Sequence, residues 1–344
     1  WEEMFYLDFE GNAESDHIKF VLEEVRRYSR FLKILGSYPS PDIARTEVPA
    51  EARKVGGEES TSASGMPRAQ VSIPQNGSKS QKPGNAKLYS RDYKSEDTII
   101  EVKGVKIGGD SFVIIGGPCS VESEEQIFQC AQHLKETGGH VLRGGCFKPR
   151  TSPYSFQGLG YEGLDLLLKA GKTYDLPIVT EVLAVEDVHK VAEKSDIIQI
   201  GARNMQNFTL LQEVGRTQRP VMLKRGMSSS VDDLLNASEY ILSQGNLQVF
   251  FCERGIRTFE TATRNTLDLS AIPVIRQRSH LPVIVDPSHA AGTRDLVVPL
   301  VYAARAVGAH GVMVEFHPKP EEALSDGPQA LLFDQWAAMM QDLL

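Results

Sequence analysis

Phe112-Val113-Ile114-Ile115, followed by Gly116-Gly117-Pro118-Cys119 and then by Ile127, Cys130, Ala131 and Leu134 at helical spacing, sets a pattern that the rest of the chain repeats. Short apolar runs recur at 112–115, 141–142, 178–180, 197–200, 221–223, 249–251, 283–285 and 312–314. Each leads into a stretch with helical periodicity, such as Leu234, Leu235, Ala237, Tyr240 and Ile241. Runs that are apolar throughout read as strands buried on both faces, which is the habit of parallel sheets covered by helices. Eight such units match the size of a closed (β/α)8 TIM barrel. An open doubly wound sheet is the alternative, because closure cannot be read from strand patterns, but its GxGxxG turn after the first strand is missing. The expectation is an α/β barrel, preceded by a short β-hairpin over 98–102 and 105–107.

Working outward, residues 41–87 turn to Ser, Gly, Pro, Glu and Lys, as in Gly56-Gly57-Glu58-Glu59-Ser60-Thr61-Ser62, and read as a flexible, disordered linker. Residues 1–40 read as strand, amphipathic helix over 16–31, and strand, too little for a stable domain alone. Trp1 stands almost directly before the strand-like Met4-Phe5-Tyr6-Leu7-Asp8-Phe9, so the chain is expected to be cut from a longer one. A hydrophobic share of 41% supplies a sizeable core, and a formal net charge of -8 argues against a general nucleic-acid binder. No apolar run approaches the roughly 20 residues that span a bilayer, and no basic-then-apolar leader opens the chain, so neither membrane insertion nor secretion is expected. Cysteines at 119, 130, 146 and 252 form no CxxC pair, which fits a reducing cytoplasm.

The chemistry-bearing residues fall just after the apolar runs, at the rim where barrel enzymes place their sites. One group is basic: Arg143, Lys148 and Arg150 after the second run, Arg203 after the fourth, Lys224 and Arg225 after the fifth, Arg254 after the sixth. Any one alone reads as a solvated or salt-bridged rim residue. Seven in an acidic chain imply a strongly anionic small ligand, with guanidinium forks matched to phosphate and carboxylate. The other group has metal-ligand types: Cys119 after the first run, His289 after the seventh, Glu315 at the end of the eighth and Asp326 beyond it. Singly, a buried cysteine or a rim histidine is an ordinary structural residue. Together, around the seam where first and eighth strands of a closed barrel meet, they suit a divalent metal ion, Mn, Fe, Co or Zn. Cys130, Cys146, Cys252, His280 and His317 read as structural, His317 being close enough in sequence to Glu315 to watch.

Gly116-Gly117-Pro118-Cys119-Ser120-Val121-Glu122, Arg143-Gly144-Gly145-Cys146-Phe147-Lys148-Pro149-Arg150-Thr151-Ser152-Pro153, Gly201-Ala202-Arg203-Asn204-Met205, Leu223-Lys224-Arg225-Gly226, Asp286-Pro287-Ser288-His289, Val314-Glu315-Phe316-His317-Pro318 and Leu324-Ser325-Asp326-Gly327 closely resemble the β subgroup of type I 3-deoxy-7-phosphoheptulonate (DAHP) synthases. The resemblance covers residues 88–344. It implies condensation of phosphoenolpyruvate with erythrose 4-phosphate, the first step of the shikimate pathway to aromatic amino acids. It also implies Cys119, His289, Glu315 and Asp326 as metal ligands, and phosphoenolpyruvate held by Arg143, Lys148, Glu181, Ala202, Arg203, Lys224 and Arg254. The sugar phosphate would fall to Arg150, Thr151 and Ser152. Lys148 is the expected proton donor, and His289 or Glu181 the expected handler of the water proton. Related octulosonate 8-phosphate synthases carry Ala-Asn-Arg-Ser where this chain has Pro149-Arg150-Thr151-Ser152, which favours the four-carbon sugar. A catalytically silent barrel is the reading from another class, and the intact constellation argues against it. Residues 1–40 resemble the end of a prephenate dehydratase ACT regulatory domain, through Phe5-Tyr6-Leu7-Asp8-Phe9-Glu10-Gly11 and Phe31-Leu32-Lys33-Ile34-Leu35-Gly36, implying a parent fused to that enzyme. Members of this family commonly assemble as dimers or tetramers.

Overall fold

Val113–Gly117 and Gly311–Glu315, about 200 residues apart in sequence, pair in parallel along their whole length, Val113 opposite Gly311 and Gly117 opposite Glu315. That pairing closes the sheet and removes the doubly wound alternative. In chain order the barrel strands are β3 (Val113–Gly117), β4 (Val141–Arg143), β5 (Ile178–Glu181), β6 (Ile197–Ile200), β7 (Val221–Lys224), β8 (Val249–Glu253), β9 (Val283–Val285) and β10 (Gly311–Glu315), each beside its predecessor. The computed structural model describes residues 86–149, 152 and 154–343, with Ile18, Lys19, Leu22, Glu23 and Arg26. The predicted linker up to residue 85, most of the ACT-like segment, and Arg150 and Thr151 lie outside the described residues.

Alternation along each strand explains why the runs are apolar throughout. Val113, Ile115, Val141, Val179, Ile197, Met222, Phe250, Ile284 and Met313 fill the barrel interior. Their neighbours Ile114, Leu142, Ile178, Ile198, Val221, Val249, Val283 and Val312 face outward against the helices. Cys252 belongs to the inner set and Cys130 and Cys146 to the outer one, so these three pack as structural residues, as expected. Strands β1 (Ile100–Val102) and β2 (Val105–Ile107) form the predicted antiparallel hairpin. Its two-residue turn has positive φ at Lys103 (47°) and Gly104 (81°), the backbone a tight hairpin prefers. Ile100, Val102 and Ile107 pack on the interior residues and plug the end where the strands begin.

At the other end the first turn is shaped by glycine. Gly117 has φ 140°, and a Cβ there would overlap the carbonyl oxygen of Arg143, so only glycine lets β3 finish flush against β4. The chain then turns at Pro118-Cys119 and enters helix α1 (Glu124–Glu136), whose first turn is capped by the Ser123 hydroxyl accepting from the Gln126 amide. Contacts group the chain into two units, residues 1–62 and 63–344. In the first, Ile18, Lys19, Leu22, Glu23 and Arg26 are helical, with Ile18 buried and Lys19, Glu23 and Arg26 exposed, as the amphipathic pattern over 16–31 predicts.

Candidate active site

Every barrel strand delivers a side chain to the same rim, because the strands are parallel and end together. Arg143, Glu181, Lys224 and Glu315 are the last residues of β4, β5, β7 and β10. Cys119, Ala202, Arg203, Arg254 and His289 follow β3, β6, β8 and β9 within a few residues. A cavity of about 270 Å³ opens there, lined among others by Arg143, Lys148, Glu181, Ala202, Arg203, Lys224, Arg254, His289 and Asp326. Ser152 is not among the lining residues; its hydroxyl accepts the Tyr154 amide at 3.3 Å. Arg225 departs from the sequence reading. Its guanidinium is taken up by Glu253 at 2.9 Å and Asp268 at 2.8 Å, so it braces the rim and leaves the cavity to the other cations.

The four metal-type residues come together as expected, with one donor atom from each of Cys119, His289, Glu315 and Asp326 all within 4.8 Å of one another. Cys119 Sγ stands 3.2 Å from Asp326 Oδ2, and His289 Nε2 stands 3.3 Å from Glu315 Oε1 and 3.8 Å from Asp326 Oδ2. Donors sharing an ion through bonds of about 2.0–2.3 Å sit roughly 3–4 Å apart, so this set fits one divalent cation. His317 is not part of the set; its Nε2 faces Glu122 Oε2 at 3.4 Å.

Asp286, fully buried at the end of β9, orients the histidine. Its Oδ2 meets His289 Nδ1 at 2.7 Å and also takes the Lys224 ammonium, while Oδ1 accepts the His289 amide at 3.0 Å. Such a carboxylate fixes the tautomer and turns Nε2 toward the ion. Asp286 stands in the Asp286-Pro287-Ser288-His289 motif, but the resemblance assigns it no role. A carboxylate three residues before a candidate ligand histidine, at a helix N-cap, was the available signal. Arg264 and Gln329 were also missed: Arg264 reaches Asp326 Oδ1 at 3.2 Å, and Gln329 Nε2 donates to Glu315 Oε2 at 2.6 Å.

Electrostatics set the protonation states. Burial pushes the Cys119 thiol up to about 11, and Glu315 adds to the rise against the opposing pull of Lys148 and Arg143. Burial also lowers His289, which is therefore neutral at pH 7. Burial works to raise Asp326 and Glu315, but His289, cationic once the pH falls far enough to protonate it, acts with Arg264 to hold Asp326 down at about 2 and with Arg143 to hold Glu315 below its ordinary value. The carboxylates are already ionised and the imidazole already neutral, so an ion bound at neutral pH should displace a proton from Cys119 alone. Calorimetric zinc titrations in buffers of different ionisation enthalpy should report about one proton released per ion, with affinity rising from pH 6 to 8. Release of two would mean that His289 is charged in the metal-free chain.

A family model described as the DAHP synthetase I family matches residues 94–343. The chain belongs to this family. The phospho-2-dehydro-3-deoxyheptonate aldolase of Thermotoga maritima is 56% identical over 257 residues, 75% of this chain and 76% of the relative. A 2-dehydro-3-deoxyphosphooctonate aldolase of Geobacter sulfurreducens is 36% identical over 265 residues, 71% of this chain and 96% of its own length. Among solved structures, the Thermotoga maritima phospho-2-dehydro-3-deoxyheptonate aldolase (DAHP synthase) superimposes with a TM-score of 0.73 at 56% identity, covering 75% of each chain. A truncated 3-deoxy-D-arabino-heptulosonate 7-phosphate synthase from the same organism gives 0.70 at 52% identity, covering 74% of this chain and 94% of that one. The DAHP synthetase barrel is thus an aldolase-type enzyme, and no described helix is long and apolar enough to cross a membrane.

Proposed function

We propose that residues 88–344 condense phosphoenolpyruvate with erythrose 4-phosphate and water to give DAHP and phosphate. Phosphoenolpyruvate would lie among Arg143, Lys148, Ala202, Arg203, Lys224 and Arg254, and the sugar phosphate would be held by Arg150, Thr151 and Ser152. The observation that carries this reading is the convergence of five of these cations on one cavity whose wall also includes His289 and Asp326 of the four-donor cluster. Both substrates are polyanions, and bringing them together requires their mutual repulsion to be neutralised and their approach fixed.

In the reaction, C3 of phosphoenolpyruvate forms a bond to the aldehyde carbon, whose oxygen takes up a proton. Water adds at C2, the C2–O bond to phosphate breaks, and C2 becomes the ketone. A divalent ion held by Cys119, His289, Glu315 and Asp326, of the Mn, Fe, Co or Zn type, supplies Lewis acidity. Lys148 gives the proton to the aldehyde oxygen in this reading, a role supported by its ammonium standing 2.9 Å from Cys119 Sγ and by its lining the cavity. Both His289 nitrogens are engaged, Nδ1 by Asp286 and Nε2 by the donor cluster, which leaves Glu181 as the better acceptor of the water proton. A Cβ at residue 201 would overlap the Glu181 carboxylate, so Gly201 is what gives this group its place on the cavity wall.

Arg150→Ala should raise the KM for erythrose 4-phosphate far more than that for phosphoenolpyruvate, by a factor of 10 or more for a lost charge-assisted contact worth about 1.5–3 kcal/mol. Equal effects on both would show the two phosphate positions to be misassigned. The 36% identical octonate relative makes a five-carbon sugar phosphate the necessary control, and the Pro149-Arg150-Thr151-Ser152 stretch supports the four-carbon substrate. The same reading takes residues 1–40 as an ACT-like fragment joined by the 41–87 linker to a cytoplasmic, homo-oligomeric synthase. The Phe5-Tyr6-Leu7-Asp8-Phe9-Glu10-Gly11 motif supports the fragment, and size-exclusion chromatography with light scattering tests the assembly.

A further inference from the structure

Glu122 sits on the same turn as Cys119, between β3 and α1, and reaches across to the turn that follows β10. Its Oε1 accepts the Leu324 amide at 3.0 Å and the Ser120 hydroxyl at 3.0 Å. Its Oε2 lies 3.4 Å from His317 Nε2, with the two side chains only 10% and 7% exposed. His317 Nδ1 accepts the Lys319 amide at 3.1 Å, which leaves the ring hydrogen on Nε2, facing Glu122. Among the described residues that nitrogen has no partner at hydrogen-bonding geometry, so its contact with the carboxylate is electrostatic.

The turn leaves the barrel at Phe316 and returns at Leu331, the two being bridged at its neck. Leu324 is followed directly by Ser325 and Asp326, which meet Cys119 Sγ at 3.1 and 3.2 Å. Asp326 has φ 53°, a left-handed backbone that is uncommon for a residue with a Cβ and that its surroundings hold in place. Arg264 holds the Asp326 side chain, and Glu122 holds the backbone two residues earlier.

We propose that Glu122 is a positioning residue of the metal centre. By fixing Leu324 and facing His317 it presents Ser325 and Asp326 to the Cys119 sulfur, so the ion's affinity and coordination geometry depend on a carboxylate that is not itself a ligand. This rests on the metal reading above.

Cobalt(II) titrated into the chelator-stripped full chain reads both properties: thiolate-to-cobalt charge transfer follows Cys119, and the ligand-field bands follow the rest of the shell. Glu122→Ala is expected to weaken cobalt binding about 10- to 100-fold, to keep the charge-transfer band, and to move the ligand-field bands toward those of Asp326→Ala. Glu122→Gln, which retains an oxygen for the Leu324 amide, is expected to recover most of the affinity. If Glu122→Ala does not fold, Glu122→Asp, whose carboxylate is drawn back by one methylene, carries the same expectation of weakened binding. Wild-type affinity and bands in the shortened variants would overturn the proposal and leave the metal reading standing. A wild-type chain that takes up no cobalt would overturn both.

Discussion

Cys119→Ala is expected to lower condensation of phosphoenolpyruvate with erythrose 4-phosphate by about three orders of magnitude, equivalent to about 4 kcal/mol of lost transition-state stabilisation. Tight metal binding should disappear with it, because three donors would remain, none of them a thiolate. The fold should survive. In the metal-free chain the thiol is raised to about 11 and is neutral at pH 7, so its removal unpairs no buried charge. Lys148 keeps the Cys119 carbonyl at 3.0 Å as an acceptor. Circular dichroism and the unfolding midpoint of the chelated variant would check this alongside kinetics. Full turnover by chelator-treated Cys119→Ala would remove the metal from the mechanism.

Arg143→Met should destabilise the metal-free chain by about 3–5 kcal/mol, because it leaves the Glu315 carboxylate buried without its cation. The pair is 4% and 0% exposed, with Arg143 Nη1 2.8 Å from Glu315 Oε1. Burial opposes ionisation of Glu315, but His289 and Arg143 together hold its carboxyl below the ordinary value of 4.5. The pair's contribution is therefore present above pH 4.5 and is lost as pH falls through the lower folded value. Saturating manganese should restore more stability to the variant than to the wild-type chain, since the ion replaces the missing positive charge beside Glu315. Urea unfolding of both proteins, chelated and manganese-loaded, measures this. An unchanged midpoint in the chelated variant would mean that water reaches Glu315.

The strand pattern made eight βα units legible, yet not their closure. Whether β10 returns to β3 depends on the twist and stagger of all the strands between, and Val312-Met313-Val314 reads the same in an open sheet. The donor cluster was legible because Cys119, His289 and Glu315 stand at or just after strand ends, with Asp326 in the turn that follows β10, and parallel strands carry their ends to one rim. Residues that act through a partner were harder to find. Asp286 reads locally as a helix N-cap before Pro287, and its contact with Lys224 spans 62 residues. Arg225 was overcounted for the same reason, since its acceptors Glu253 and Asp268 lie 28 and 43 residues away. Glu122 closes the Gly116–Glu122 motif, yet nothing local signals what it holds, because its partner amide belongs to Leu324, 202 residues further on.

Phosphate release from phosphoenolpyruvate by the purified chain, with manganese, with and without erythrose 4-phosphate and again after chelation, tests the central claim most directly. The account predicts release that requires both the sugar phosphate and the metal, and little with a five-carbon sugar phosphate. No release under any metal from a folded chain, or release that prefers the five-carbon sugar, would contradict it.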